Sequence, residues 1–162
     1  MFLDSPLFYG AGRFKLHSKS VYSDKSLDAD LDRLGDAWSD LQKNRDRDAI
    51  YSYLTPVFEV VAWWNADGQS AQRARRALGR RGIKAPNVIE PFAAVISATT
   101  HPTTLDKRLV SKWSRALRYV AAAKRTREPL DEFIKRQGGI NACATGYSRR
   151  FGRRSSQRDS RR

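Results

Sequence analysis

Two apolar series of matched spacing constrain this chain more than any other feature. Leu27, Leu31, Leu34, Trp38 and Leu41 recur at intervals of 4, 3, 4 and 3, and Ile50, Leu54, Val57, Val61 and Trp64 repeat those intervals. At the helical period each set falls on one side of a helix, whereas a strand would scatter it over two faces. Ser26 is the expected N-cap of the first helix. A polar link at residues 44–48 joins the two, so the pair is expected to form an antiparallel helical hairpin. Pro56 lies inside the second helix, where it removes one backbone hydrogen bond and is expected to introduce a kink.

The same period continues downstream. Residues 70–81 read as a short helix capped by Ser70, with Ala71, Ala74, Ala77 and Leu78 inward and Arg73, Arg75, Arg76, Arg80 and Arg81 outward. After Pro86, Val88, Phe92, Val95 and Ile96 stand at helical spacing. That helix starts either at Asn87 with Glu90 three residues on, or with Pro91 in its first turn, and its β-branched content leaves a strand as the alternative. Thr103 and Asp106 resemble a capping box ahead of Leu109, Trp113, Ala116, Leu117 and Val120. A short helix follows Pro129, with Leu130, Phe133 and Ile134 inward. Gly138 and Gly139 then break the chain before a last helical series, Ile140, Cys143, Ala144, Tyr147 and Phe151.

These patterns define an all-α fold. A chain of 162 residues suits one core with a loose tail. The expected organisation is an irregular arm over residues 1–24, with a short strand at 13–16 as one option, and an acidic helical hairpin over 25–67. A basic multi-helix region over 68–151 packs on the hairpin, and an Arg/Ser/Gln tail without apolar residues over 152–162 is expected to be disordered. No apolar run is long enough to span a membrane, and the N-terminus lacks the pattern of a secretory signal, so a cytoplasmic protein is expected. Cys143, His17 and His101 offer no metal-ligand spacing, and no cofactor is expected.

Charge narrows the function. The net charge is +14, and it is segregated: up to Asp67 the chain has 8 basic and 11 acidic residues, beyond it 23 and 6. A single-sign field gathers oppositely charged ligands, and arginine, which outnumbers lysine 22 to 9, has a planar fork suited to phosphate. The charge falls in three clusters. Arg73, Arg76, Arg80 and Arg81 belong to the first, and Lys107, Arg108, Lys112, Arg115 and Arg118 to the second, where no acidic residue intervenes between Asp106 and Glu128. Asn141, Arg149, Arg150, Arg153 and Arg154 are the candidate contacts in the third. The expected function is a non-enzymatic nucleic-acid-binding protein, DNA favoured over RNA, with a regulatory or accessory role.

The array from about residue 104 to 151 has the layout of a helix-turn-helix, with Gly138 as the turn glycine. Phe133, Ala144 and Tyr147 then occupy apolar positions of the motif, whereas Gln137 and Gly139 fall where it also wants apolar residues. A second register would leave only the Arg-rich tail for recognition, and an ordinary helical corner remains the competing reading. A different class of function is an adaptor or inhibitor that binds an acidic protein surface, or a homodimer, with Trp38, Trp63 and Trp64 of the hairpin as anchors. One feature of the first half is left over: Asp28, Asp32, Asp36 and Asp40 line one helical stripe at i, i+4 spacing and repel each other. A solvated helix face is the leading reading of this stripe; Arg73, Arg76 and Arg80 lying against it, or the basic tail docked there in a self-inhibited state, are the alternatives.

Overall fold

A computed structural model describes residues 24–100, 105–125 and 127–152. Among these residues the chain forms seven helices and no strand: α1 Asp24–Lys43, α2 Ala49–Ala66, α3 Ser70–Arg80, α4 Pro91–Thr99, α5 Lys107–Ala123, α6 Leu130–Arg136 and α7 Ile140–Phe151. The irregular arm, Thr103 of the supposed capping box and the Arg-rich tail with Arg153 and Arg154 lie outside the described residues.

One continuous buried cluster draws on all seven helices. The two matched series feed it as their spacing requires. Leu27, Leu31, Leu34 and Trp38 of α1 are buried, as are Leu54, Val57, Val61 and Trp64 of α2, and Leu41 and Ile50 pack at the margin. Trp38, Tyr53 and Trp113 meet in an aromatic triad with centroids 5.3 to 6.3 Å apart, tying α1, α2 and α5 together. The Thr99 hydroxyl donates to the Val95 carbonyl at 2.9 Å, so Tyr53 Oη donates to Thr99 Oγ1 at 2.6 Å and satisfies its buried hydroxyl. Burial there pushes the Tyr53 phenol well above its ordinary range.

Four details of helix placement differ from the sequence reading. Helix α1 is already formed at Asp24, which puts Ser26 inside it rather than at its cap. Ser70 is the first helical residue of α3, with Gln69 at the cap position. Glu90 precedes Pro91, whose ring forces it into an extended conformation, φ −104° and ψ 114°, so α4 cannot begin earlier. Val88 is therefore 87% exposed in the preceding loop rather than packed inward. Asp106 is the N-cap residue of α5, its side chain accepting from Arg108 N at 3.0 Å. Helix α2 continues through Pro56 without interruption.

Helix α7 packs chiefly along α5. Gly146 makes this approach close, since a Cβ there would stand 3.1 Å from the Tyr119 ring. Gly138 and Gly139 turn the chain between α6 and α7 with φ of 95° and 98°, a region that penalises any side chain.

Candidate nucleic-acid interface

The three clusters of cations are placed differently by the fold. On α3, Arg73 shares a helical face with Ala77 at i+4, and its side chain is buried, 3% exposed, where it forms an ion pair with Asp67 and lies 4.8 Å from the Trp63 ring centroid. The outward placement expected from sequence is thus overturned, and Arg73 is withdrawn from any ligand-binding surface. Arg80 stands 3.5 Å from Asp28, and Arg81 donates to Asp32 at 3.2 Å. Arg75 reaches the Asn87 carbonyl at 3.2 Å, and Arg76 is exposed on the outer face. The acidic stripe of α1 has its counter-charge here. Arg80 fills the expected part, and Arg81 replaces Arg73.

The second cluster is arranged in the opposite way. Lys107 and Arg108 are exposed in the first turn of α5, Lys112 and Arg115 follow on the same side, and among the described residues none of these four forms an ion pair. Arg115 is held in place without being neutralised: its guanidinium donates to Ser148 Oγ at 3.0 Å and to the Ser111 carbonyl at 3.3 Å. Arg118 lies over the Tyr147 ring, 4.4 Å from its centroid, and 4.0 Å from Glu90 Oε1.

These side chains converge on two adjoining hollows. Asp106, Lys107, Arg108, Lys112 and Arg115 line one of about 590 Å³. The other, about 480 Å³, lies between Glu90 and Ala93 of the α4 segment, Lys107, Ser111, Arg115 and Arg118 of α5, and Tyr147 and Ser148 of α7. Helix α7 adds an exposed polar stripe, Asn141, Thr145 and Arg149, with Arg150 beside it over Phe151 at 5.5 Å. The chain leaves the rim of this hollow at Gly152 and continues with five arginines.

Two side chains important to this geometry carried no functional assignment from sequence. Glu90 caps α4, accepting from Phe92 N at 3.2 Å and Ala93 N at 2.6 Å, and also accepts the Ser114 hydroxyl of α5. Its cap role was visible beside Pro91, but nothing local announced Ser114 or Arg118. Tyr147 was read as an apolar position, and the fold makes it the platform for Arg118.

The three tryptophans separate. Trp38 and Trp64 are buried, 7% and 0% exposed, and are components of the core rather than anchors for a partner; Trp63 is 47% exposed. Cys143 is buried on α7, and burial pushes its thiol above the ordinary value. No group of His, Cys, Asp or Glu suited to a metal ion occurs among the described residues, and none of their helices is long and apolar enough to cross a membrane. No protein-family model matches the sequence, and no curated protein or solved structure matches it.

Proposed function

We propose that the protein is a non-enzymatic nucleic-acid-binding protein that grips the phosphate backbone with α5 and the C-terminal half of α7, DNA being favoured over RNA. The observation that carries this reading is the row Lys107, Arg108, Lys112 and Arg115 on one side of α5, which forms no ion pair among the described residues, whereas Arg73, Arg80, Arg81 and Arg136 each meet a carboxylate. An unpaired row of cations on rigid helix displaces counterions from a polyanion at little conformational cost. The stripe Asn141, Thr145 and Arg149 supplies groups able to contact base edges, which suits α7 to the groove-facing role of a helix-turn-helix. A regulatory or accessory role follows from this reading.

The test is fluorescence anisotropy of a labelled duplex across a salt series. With four or five phosphates engaged, log affinity falls against log salt with a slope of about −4. A flat dependence sinks the proposal. Competition by duplex DNA, single-stranded RNA and duplex RNA decides between DNA and RNA. The adaptor reading keeps one specific support, the exposed Trp63. Persistence of a single protein partner after nuclease treatment of a pull-down would favour it over nucleic-acid binding.

A further inference from the structure

The hollow beneath Arg115 and Arg118 is built more elaborately than backbone contact requires. Its volume of about 480 Å³ lies within the range of small-molecule sites, and Ala93 and Val110 give it an apolar wall. Three cations, Lys107, Arg115 and Arg118, face one carboxylate, Glu90, a formal surplus of two positive charges. That carboxylate is engaged by two backbone N–H groups of α4 and by the Ser114 hydroxyl of α5, which take up part of its charge. Arg115 is fixed by its bonds to Ser148 and the Ser111 carbonyl, and Arg118 by its stack on Tyr147, so both guanidinium groups are positioned before any ligand arrives.

A phosphodiester offers a single negative charge, whereas a phosphomonoester carries about −1.5 to −2 at neutral pH on three acceptor oxygens. The latter matches the surplus and the fork geometry of two arginines with a lysine. The planar Arg118 guanidinium, seated on the Tyr147 ring, also offers its outer face as a surface on which a base can stack. We infer that this hollow is a site for a nucleotide bearing a terminal phosphomonoester, either free or as the phosphorylated end of a strand. The strand-end form rests on the nucleic-acid reading above; the free form does not.

The experiment uses the full chain and a short single strand labelled at its 3′ end, prepared with a 5′-phosphate and with a 5′-hydroxyl. At about 150 mM salt, where backbone attraction is weakened, the 5′-phosphate is expected to tighten binding about tenfold or more. The nucleotide dAMP should compete better than deoxyadenosine or inorganic phosphate. Lys107→Gln, at an exposed side chain away from the α5–α7 contact, and Arg115→Gln should each bring the ratio between the two strands toward one. Equal affinity for both strands together with no binding of dAMP overturns the site, while salt-dependent duplex binding would leave the broader function standing. Binding of dAMP without any strand binding keeps the site, identifies the free nucleotide as its ligand and removes the broader function. If phosphate or deoxyadenosine competes as well as dAMP, or if the strand ratio survives both variants, the inference fails.

Discussion

Helices α3 and α5 are both amphipathic and both rich in arginine, but the fold gives their charges opposite uses. On α3 and at its C-cap three guanidinium groups meet carboxylates of the same chain: Asp67 takes Arg73, and Asp28 and Asp32 take Arg80 and Arg81, while Arg75 reaches the Asn87 carbonyl. On α5 four consecutive cations of the outer face have no carboxylate within ion-pair distance among the described residues, and the one acidic neighbour of Arg118 is occupied as a helix cap. Basic composition alone therefore does not mark a binding surface. On the proposed reading, α5 is distinguished by cationic charge left over after the chain has satisfied itself.

The most severe way to break this contrast acts on Asp67. Asp67→Ala removes the Asp67 carboxylate from the buried Arg73 guanidinium and should lower the unfolding free energy by about 3 kcal/mol in urea denaturation. Nucleic-acid affinity at temperatures where the variant is folded should be unchanged. A loss under about 1 kcal/mol would mean that α3 does not depend on this pair. Next in size, the triple change Lys107→Gln, Arg108→Gln, Lys112→Gln should weaken duplex binding about 10- to 100-fold at low salt and make the log–log slope shallower by about 2 to 3. Stability should stay within about 0.5 kcal/mol, because these side chains lie on the surface. An unaltered slope would remove α5 from the interface.

Smaller still is the double change Arg80→Gln, Arg81→Gln. These exposed pairs offset repulsion along the Asp28, Asp32, Asp36, Asp40 stripe, so a loss below about 1 kcal/mol is expected, with affinity shifted less than about threefold. If this variant loses as much affinity as the α5 triple, the distinction between the helices collapses. Finally, Cys143 reports on how tightly α7 is packed into the core. Burial raises its thiol pKa, so the native thiol should react slowly with a disulfide reagent near pH 8 and rapidly once the protein unfolds. By linkage, the stability owed to the neutral thiol is complete below the ordinary thiol pKa and is lost as pH rises through the raised folded value. Rapid labelling of the folded chain would show that α7 opens from the core.

Most of the architecture was legible in sequence because helical period is a local signal. The spacing of Leu27 to Leu41 and of Ile140 to Phe151 needed no knowledge of partners, and both regions are helical. Misplacements came where a neighbour in space or a backbone restriction decided the matter. Arg73 was assigned outward by its charge, although its i+4 relation to Ala77 already put it on the inner face; Asp67, six residues back, is what makes burial tolerable. Val88 kept the apolar period of α4 but precedes the stop that Pro91 imposes. Trp38 and Trp64 shared the stripes of the core and were nonetheless assigned to partners as well. The cations of α5 were readable as a row, but their lack of carboxylates and the Arg118–Tyr147 stack depend on packing between residues far apart in sequence.

Gly146 gives the charged face a property that no charged residue could supply. By admitting the Tyr119 ring at a distance a methyl group would contest, it fixes how far apart α5 and α7 run. The gap between Lys112 or Arg115 on one helix and Arg149 on the other is thus calibrated by a residue with no side chain. A bulkier residue there would leave every cation in place in the sequence and yet change the spacing between the charges of the two helices. On the proposed reading, binding strength is accordingly open to retuning from inside the core, by neutral substitutions invisible to any count of charge.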